Sequence, residues 1–580
     1  MSETPKNYVS HALSTVLSDL KLTPHVDRLE ISVPDPKFGD YSTNVALMLA
    51  KKVSQSPRDV ALKIVAEIKK FDVQNRFASV EEKGGFINFT LAPSVLMDTI
   101  ALIMDQGALY GASIVGEGKK VIFEYSSPNT NKPLHIGHVR NDIYGQSCIR
   151  LLKSQGYQVV ACEIINDRGI HIMKSVLMYM RNGKGKTPES EQLKPDHFVG
   201  KFYTMFATEA VKGEAQEKQL LEDAQNLLQR WEAGDAEVRK VWKQMNDWFF
   251  AGIQQTYGKE GTAFDEVDYE SDIYDKGRDL VLEGVKKGIF AKEEDGSVSV
   301  DLTAEGLDKK YLLRKDGTTI YITQDLYLWN LRNERHHPDM AIVTTAAEQA
   351  YHFTVLGKLF RLLGFTWAEK FKHLPYEHVY LGKDKMSSRS GNTVSADELL
   401  TTVKEKVKII MQQSERVKAS AENEQLIETI AFGAIKYGYL KYEPNTRIYF
   451  DLDATISIEG NTGPYIQYAH ARICSILRKA EKWGDAVLPL QPAPAELELA
   501  KKLQHYSESV QLAAEEYKPN LLANYLYELA SLFSRFYQEV SVMQETDLQK
   551  KYFRLQLISA TAQILSNGLY LLGIESPDQM

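Results

Sequence analysis

The sequence has few cysteines and no long apolar run. Its 580 residues include three cysteines, Cys148, Cys162 and Cys474, and no two of them form a CxxC pair. This excludes a disulfide framework and a four-thiolate zinc site, and it fits a reducing compartment. Polar side chains interrupt the apolar stretch 555–572, and the polar N-terminus lacks the apolar segment of a signal peptide. We therefore expect a soluble, cytoplasmic protein that does not contact a membrane.

An excess of positive charge is also absent. Lys and Arg number 69 against 77 for Asp and Glu, which gives a formal net charge of −8. The molecule is therefore not a polycation, and any nucleic acid must be bound through local basic surface. Apolar residues make up 43% and charged residues 25%, as in ordinary globular proteins, and the length indicates about three to five domains.

The two ends of the chain carry different patterns. Residues 1–110 contain a helical pattern, in which Val60, Ile64 and Ile68 share one face, and an alternating strand at 84–91. They predict a small N-terminal α/β domain. Residues 451–580 show mainly helical spacing and predict a C-terminal all-α helical bundle.

The middle region, residues 111–450, alternates strands and helices. A strand, a turn, a helix at 135–154 and a second strand form a βαβ unit, and later segments continue this rhythm. This predicts an α/β domain with a doubly wound parallel sheet, and the mostly helical stretch at about 172–275 reads as an insertion. The strand candidates are 121–125, 159–161, 340–345 and 377–381.

Two histidines open the predicted helix after the first strand. His135 and His138 are three residues apart and share one face at a helix N-terminus, where free N–H groups and imidazoles can bind a polyphosphate. Gly137, which lacks a Cβ, lets a flat adenine ring approach the backbone. The alternatives are incidental surface histidines or a zinc pair that Asp142 completes. No further Cys or His stands at ligand spacing, so we predict no metal site.

A segment rich in cations lies far downstream. Residues 381–392 follow a short strand and combine lysine, arginine, serine and glycine. This composition is typical of a loop that folds over a triphosphate. Taken by itself, the segment could equally be a solvated basic loop.

Together the two segments resemble the two signature motifs of class I aminoacyl-tRNA synthetases. Further blocks are similar to arginyl-tRNA synthetases in particular, and the resemblance extends from the N-terminal domain to Met580. These blocks are 124–134, 166–169, 321–325, 348–352 and 460–472.

The resemblance implies an arginine–tRNA ligase with a Rossmann-type catalytic domain. Such an enzyme uses ATP with Mg²⁺ to convert L-arginine to arginyl-adenylate, and it transfers the arginyl group to the 2′-hydroxyl of the terminal adenosine of the tRNA for arginine. By the same resemblance, activation requires bound tRNA. We also expect the protein to be a monomer. Residues 1–110 become a domain that contacts the tRNA elbow, and residues 451–580 an anticodon-binding domain.

One position departs from the family pattern. The family's loop signature is Lys-Met-Ser-Lys-Ser, and Ser388 stands here at its fourth position. The resemblance implies that Lys132, just ahead of the histidines, replaces the missing cation. Lys132 and Lys385 would then share the charge that develops on pyrophosphate, with Arg389 a weaker contributor. The other residues that the resemblance implies for catalysis and ATP binding are His135, His138, Asn131, Gly137, Met386 and Ser387.

A guanidinium substrate needs carboxylate and hydroxyl acceptors. Tyr321 and Asp325 stand four residues apart, on one face if helical, and resemble the arginine pocket of the family. Glu124 and Asn129 resemble its other wall, and Gln349 resembles a contact to the α-amino group. Without the resemblance, each carboxylate would be read as an ordinary structural residue.

The C-terminal region interleaves aromatic and basic side chains. Aromatic rings can stack on splayed bases while cations hold phosphates, although core packing is the alternative for any single aromatic residue. The residues that we assign to tRNA binding are Tyr465, Tyr468, Arg472 and Met580.

Two other functions stay open at this point. A small-molecule nucleotidylyltransferase shares the phosphate-binding histidines but does not need a long aromatic helical tail. A non-catalytic tRNA-binding relative would keep that tail and lose the phosphate-binding segments.

Overall fold

The computed structural model describes residues 4–23, 29–381, 384–385, 394–413, 422–480, 482–484, 486–489 and 491–580. The N-terminal region packs four helices on a small antiparallel sheet of order β1-β3-β2. Ser56 caps α3 by accepting the N–H of Asp59 at 3.1 Å, and Pro57 occupies the first helical position. The elements are α1 (Pro5–Asp19), β1 (Tyr41–Thr43), α2 (Val45–Lys52), α3 (Pro57–Phe71), β2 (Phe77–Lys83), β3 (Phe86–Leu91) and α4 (Pro93–Gln106). The predicted helix and strand of this region are therefore confirmed.

The middle region begins with a βαβ unit and continues through a set of helices. Its first elements are β4 (Lys120–Glu124), α5 (Ile136–Ser154), β5 (Gln158–Ile165), α6 (Ile170–Asn182), α7 (Pro195–Ala210), α8 (Glu214–Glu232), α9 (Ala236–Glu260), β6 (Glu266–Tyr269), α10 (Glu270–Ile273) and α11 (Arg278–Lys286). Then follow β7 (Ala291–Lys292), β8 (Val298–Val300), β9 (Lys310–Leu313), α12 (Tyr321–His336), β10 (Met340–Ala346), α13 (Ala350–Leu362) and β11 (Phe371–Tyr376).

The central sheet is parallel and doubly wound. Its order is β11-β10-β4-β5-β6, and all four strand pairs are parallel. Val121, Ile122 and Phe123 of β4 are fully buried because helices cover both faces of the sheet. The strand order reverses between β4 and β10, and a crevice at such a point is where this fold binds ligands. The predicted fold class is confirmed.

Two strand assignments differ from the prediction. The last strand of the sheet is β11, and the predicted strand at 377–381 instead supplies β12 (Val379–Leu381) to a separate small sheet with β13 (Asp384–Lys385) and β14 (Ile448–Phe450). Strand β11 contains Pro375, which only an edge strand tolerates, so its sequence does not look like a sheet strand. Strand β6 lies within the stretch read as a helical insertion.

Helices dominate the rest of the chain, as predicted. They are α14 (Ala396–Gln413), α15 (Glu424–Leu440), α16 (Leu452–Thr455), α17 (Gly463–Ala480), α18 (Pro494–Gln504), α19 (Tyr506–Glu515), α20 (Pro519–Glu539) and α21 (Leu548–Leu571). The bundle is attached to α5, where the Ser147 hydroxyl donates to the carbonyl of Leu571 at 3.1 Å. It also holds the N-terminal region, since the Tyr41 hydroxyl donates to Glu508 at 2.6 Å.

Candidate active site

The turn after β4 lies at the point where the strand order reverses. Ser126 and Ser127 adopt positive φ angles of 68° and 60°, a backbone conformation that residues other than glycine rarely adopt. Neighbouring amides hold this turn: Asn141 Nδ2 donates to the Ser126 carbonyl at 3.4 Å and Asn166 Nδ2 to the Ser127 carbonyl at 3.2 Å. Two consecutive non-glycine residues with positive φ angles indicate a turn that the surrounding structure holds in a strained conformation.

The two predicted histidines cap helix α5 with their rings. His135 Nδ1 accepts the N–H of Gly137 at 3.1 Å, and His138 Nδ1 accepts the N–H of His135 at 3.1 Å. The rings lie 3.8 Å apart between centroids. Since both Nδ1 atoms act as acceptors, the proton of each neutral ring is on Nε2. The pair therefore offers two Nε2–H donors at the start of a helix.

Both imidazoles are uncharged at neutral pH. Burial lowers the pKa of His135 to about 3, and the nearby Lys132 ammonium lowers it further. Burial also holds the pKa of His138 well below the usual range, with His135 and Lys132 contributing. The histidines can thus donate hydrogen bonds but cannot neutralise a phosphate, so the positive charge of this site has to come from lysine or arginine.

Lys132 supplies a cation beside these rings. Its side chain is partly buried, and burial lowers its pKa. The neighbouring Asn131 is buried, and its Oδ1 has no hydrogen-bond partner among the described residues. Gly137 leaves room for the histidine cap, because a Cβ at this position would lie 3.0 Å from His135 Cε1, a tight contact that the ring would have to relieve. The structure therefore brings four of the predicted nucleotide-binding residues, and Lys132, together at one helix start.

Both flanks of segment 382–393 are attached to the same helix start. After the segment, the Ala396 N–H donates to the Leu134 carbonyl at 2.8 Å, and the Ile136 N–H donates to the Val394 carbonyl at 3.4 Å. Before it, the Arg140 guanidinium on α5 donates to the carbonyls of Glu377 and His378. Arg140 is a residue that the sequence did not single out, since one arginine on a helix carries no distinguishing signal.

Most predicted residues of this segment lie outside the described residues. This holds for Met386, Ser387, Ser388 and Arg389. Lys385 is described by its backbone alone, which pairs with Tyr380 in the antiparallel β12–β13 ladder.

The other half of the site is acidic. Tyr321 and Asp325 lie in the first turns of α12 and share one face of that helix, as expected for a four-residue spacing. Asp325 Oδ2 lies 2.6 Å from His352 Nε2, and the rings of Tyr321 and His352 are 5.2 Å apart. The charge of Asp325 is the first cause that raises the pKa of Tyr321, followed by burial and by the charges of Glu124 and Glu270. Tyr321 is nevertheless 61% exposed, so it lies at the rim.

Glu124 lies at the carboxyl end of β4 and is already paired. Its Oε2 accepts a hydrogen bond from Arg332 of α12, and Arg332 Nε also donates to Asp268 of β6 at 2.9 Å. All three side chains are buried. Burial raises the pKa of Glu124, Arg332 opposes that rise, and Asp325 adds to it. Glu124 thus contributes negative charge to the pocket while a structural arginine holds it in place.

The sequence prediction missed Glu270, the first residue of α10. Burial raises its pKa to about 7; Arg168 lowers it, and the charges of Asp167 and Asp325 add to the rise. Glu270 is therefore a further carboxyl group close enough to Asp325 and Tyr321 for its charge to act on both. Only its position directly after β6 could have indicated this role, and that strand was not predicted.

The remaining predicted residues lie at the edge of the pocket. Asn129 is exposed, and its backbone forms a bridge with Asn166 at the end of β5. Gln349 is exposed in a short 3-10 turn directly after β10.

Asp142, weighed above as a ligand beside His138, is completely buried near Ser126 and Glu163. Within the described residues it forms no three-ligand cluster with the histidines.

Comparison with known proteins assigns the chain to a family. The family described as "tRNA synthetases class I (R), catalytic domain" matches residues 99–452, more than half of the chain. The arginyl-tRNA synthetase N-terminal domain matches residues 6–91, and the DALR anticodon-binding domain matches residues 466–580. The chain belongs to the arginyl-tRNA synthetases. The resemblance inferred from the motifs is thereby confirmed.

Relatives of this arginyl-tRNA synthetase match it over nearly their full length. An arginine–tRNA ligase from Parabacteroides distasonis is 38% identical, covering 95% of this chain and 96% of that protein. One from Treponema denticola is 39% identical, covering 95% and 94%. The arginyl-tRNA synthetase structure from Thermus thermophilus superposes with a TM-score of 0.83 at 26% identity and covers 99% of both chains.

The C-terminal bundle of this synthetase places three predicted residues around one surface cavity. Tyr468, Arg472 and Met580 line a cavity of about 470 Å³. The Arg472 guanidinium lies between two rings, 4.7 Å from Tyr468 and 4.9 Å from Tyr537, and it donates to the Tyr468 hydroxyl at 2.7 Å. Tyr465 does not line this cavity; its hydroxyl donates to Ser534 on α20 at 3.0 Å.

Among the described residues, no helix is long and apolar enough to span a membrane.

Proposed function

We propose that this arginyl-tRNA synthetase charges its tRNA with arginine in two steps. A carboxylate oxygen of arginine attacks the α-phosphorus of ATP, the bond to the β-phosphate breaks, and pyrophosphate leaves. The 2′-hydroxyl of the terminal adenosine then attacks the arginyl carbonyl carbon, loses its proton and displaces AMP. Mg²⁺ accompanies ATP as part of that substrate. No protein side chain forms a covalent intermediate, so catalysis depends on positioning and on charge.

The observation that carries this proposal is the attachment of both flanks of segment 382–393 to helix α5. The donors of His135 and His138, the Lys132 ammonium and the residues of the downstream segment then serve one nucleotide. The histidines donate from Nε2 to the phosphates of ATP, while Lys132 and Lys385 stabilise the charge that develops on pyrophosphate. Neutral histidines suit this division of roles, because they orient the phosphates without adding charge.

The acidic pocket accounts for the choice of arginine. A guanidinium presents five N–H donors in one plane and prefers charged acceptors. In our proposal Asp325 and Glu270 are the carboxylate partners of the guanidinium. Tyr321 lies at the rim of the pocket, and Glu124 lies deeper, behind these carboxylates. In our proposal Asn129 forms the other wall of this pocket with Glu124, and Gln349 contacts the α-amino group of the substrate.

The two outer regions are assigned to the tRNA. Residues 1–110 would contact the elbow and residues 451–580 the anticodon loop, with Arg472, Tyr468 and Met580 around the cavity described above. Tyr465 would act by supporting this surface. We propose that the protein works as a monomer.

The test is a pair of assays on the full chain. Charging of total tRNA with labelled arginine measures the whole reaction, and arginine-dependent ATP–pyrophosphate exchange measures the first step alone. We expect charging, and exchange only when tRNA is present. Exchange of equal rate without tRNA would contradict the proposed requirement for tRNA.

The same assays separate the alternatives. A small-molecule nucleotidylyltransferase would transfer the AMP group of ATP to an acceptor of its own and would give neither charging nor arginine-dependent exchange, and it would not bind tRNA. A non-catalytic relative would bind tRNA and give neither charging nor exchange.

A further inference from the structure

The C-terminal tail, residues 573–580, lies along one face of helix α17. Side chains spaced along that helix hold the tail by its backbone carbonyls, so the attachment follows the turns of the helix. The contacts are Gln467 Nε2 to the carbonyl of Glu575 (2.8 Å), His470 Nδ1 to that of Pro577 (3.0 Å) and Arg478 Nη1 to that of Asp578 (3.0 Å).

This docking brings three potential metal ligands together. His470 and Cys474 are one turn apart on α17, and Asp578 approaches from the tail. Cys474 Sγ lies 3.7 Å from His470 Nε2 and 3.7 Å from Asp578 Oδ1, and one ligand atom from each residue lies within 4.8 Å of the others. His470 is 5% exposed, Cys474 is half-buried and Asp578 faces solvent.

The spacing fits a tetrahedral zinc ion. With Zn–S of about 2.3 Å and Zn–N or Zn–O of about 2.0–2.2 Å, tetrahedral angles separate sulfur from the other ligand atoms by roughly 3.5 Å. The two measured sulfur distances are close to this value. One sulfur, one nitrogen and one oxygen also form a donor set that zinc accepts, with a fourth position left for water.

The environment of the histidine supports the same assignment. His470 Nδ1 donates to the Pro577 carbonyl, which leaves Nε2 as the acceptor nitrogen beside Cys474. A backbone carbonyl that fixes the tautomer of a ligating histidine is the usual outer-shell arrangement at zinc sites. We propose that His470, Cys474 and Asp578 bind one Zn²⁺ and that this ion fastens the C-terminal tail to helix α17.

A second group of potential metal ligands differs from this one in its neighbouring charges. Asp196, His197 and Asp397 also bring three ligand atoms together. There the Lys194 ammonium lies 2.7 Å from Asp397 and 3.3 Å from Asp196, so a resident cation already balances the carboxylates. At Cys474 the neighbouring cation makes a different contact, because the Arg478 guanidinium donates to the backbone carbonyl of Asp578 at 3.0 Å.

The consequence concerns the end of the chain. Asp578 stands two residues before Met580, which lines the cavity with Arg472 and Tyr468. A zinc ion at Asp578 would hold the terminal residues against α17 and so preserve the shape of that cavity. The fastening of the tail by zinc does not depend on what the cavity binds.

The test uses the full chain, stripped with EDTA and titrated with Co²⁺ as a spectroscopic substitute for Zn²⁺. We expect one Co²⁺ per chain, with sulfur-to-cobalt charge-transfer absorption and the visible bands of a tetrahedral site, both abolished by Zn²⁺. Cys474→Ser should remove the charge-transfer band and weaken binding at least about 100-fold, the upper end of what losing an outer-shell partner costs. His197→Gln, in the second cluster, should leave the spectrum unchanged. Absence of the band in the wild-type protein, or its persistence in Cys474→Ser, would overturn the proposal.

A second variant guards against a folding defect. Asp578→Asn keeps the backbone contact to Arg478 and changes a solvent-facing carboxylate, so its fold and metal-free melting temperature should match the wild type. We expect about 10- to 100-fold weaker Co²⁺ binding. Unchanged affinity in this variant would remove Asp578 from the site and with it the fastening of the tail.

Discussion

The backbone N–H of Ala396 donates to the carbonyl of Leu134 at 2.8 Å, which places the return of the downstream segment at the residue before the histidine cap. At the other flank, Arg140 of the same helix holds the carbonyls of Glu377 and His378. Two motifs that are far apart in the sequence therefore share one anchor. Because both flanks are attached to α5, a change on either side of the nucleotide should alter the same chemical step.

Replacing Lys132 by alanine should slow adenylate formation by about 10- to 1000-fold, the scale of one preorganised charge contact. The histidines beside it are neutral, so they cannot supply the missing charge. Pyrophosphate exchange with tRNA and arginine present measures the effect. Lys119→Ala, which removes an exposed lysine just before β4, is the matched control and should behave as wild type. Wild-type exchange in Lys132→Ala would show that Ser388 needs no compensating lysine.

Replacing Asp325 by asparagine should raise the KM for arginine about 100-fold and leave the KM for ATP nearly unchanged. The estimate follows from losing a charge-assisted contact of about 2–3 kcal/mol, where each 1.4 kcal/mol is tenfold. Arginine-dependent pyrophosphate exchange over a range of both substrates gives the two constants. Glu334→Gln alters an exposed carboxylate on the same helix and should change neither constant. A normal KM for arginine in Asp325→Asn would place the guanidinium elsewhere.

Arginine should bind more tightly as the pH rises from 6 to 8. Glu270 has a pKa of about 7 in the empty pocket, so about half of it is protonated at neutral pH. A guanidinium favours the charged carboxylate, and below the pKa each pH unit should weaken binding by up to about tenfold. Calorimetric titration in buffers of different ionisation enthalpy should detect release of about half a proton at pH 7. Glu270→Gln should abolish both the pH dependence and the proton release, and a wild-type profile in that variant would exclude Glu270.

The sequence predicted the parts of this molecule that depend on local pattern. Helix α5 was predicted because strand, turn and histidine pair stand in one order, and the shared face of Tyr321 and Asp325 follows from helical spacing. Strand β6 was missed because it carries Glu266 and Asp268, acidic residues that a buried strand rarely contains. Asp268 is buried because Arg332 and Arg335 of helix α12, far away in the sequence, both donate to it.

Glu270 of the acidic pocket and the tail site were hidden for the same reason. Glu270 acquires its role from the strand before it, and that strand is defined by its pairing with β5. Asp578 reaches Cys474 only through the packing of the tail on α17, with no spacing pattern that joins the two residues. Contacts between residues far apart in the chain depend on the tertiary fold, which local periodicity does not encode.

Replacing Arg472 by alanine should weaken tRNA binding about tenfold and reduce the salt dependence of binding by about one phosphate contact. The guanidinium between Tyr468 and Tyr537 is positioned to contact a phosphate or a stacked base. Filter binding of tRNA at several salt concentrations measures both quantities. Arg361→Ala removes a partly exposed arginine that pairs with Glu369 in the catalytic region and should leave the salt slope unchanged. An unaltered tRNA affinity in Arg472→Ala would mean that this cavity is not the anticodon surface.

Glu163 should contribute less to stability as the pH rises from about 4.5 to 8. This side chain is 1% exposed on β5, and burial raises its pKa to about 8, although Tyr257 and Ser126 donate hydrogen bonds that oppose the rise. Between pH 4.5, the ordinary pKa of a glutamate side chain, and pH 8, the folded protein holds a proton that the unfolded chain has lost. Its contribution to stability is therefore complete below pH 4.5 and is lost as the pH rises through 8, by about 1.4 kcal/mol per pH unit for one proton.

Unfolding in guanidinium chloride at pH 5, 6, 7 and 8 measures the slope of the free energy of unfolding against pH. Glu163→Gln keeps a neutral side chain of the same shape, so its slope should be smaller by one proton, whereas Glu237→Gln at an exposed position should retain the wild-type slope. Equal slopes in wild type and Glu163→Gln would show that Glu163 is ionised in the folded protein.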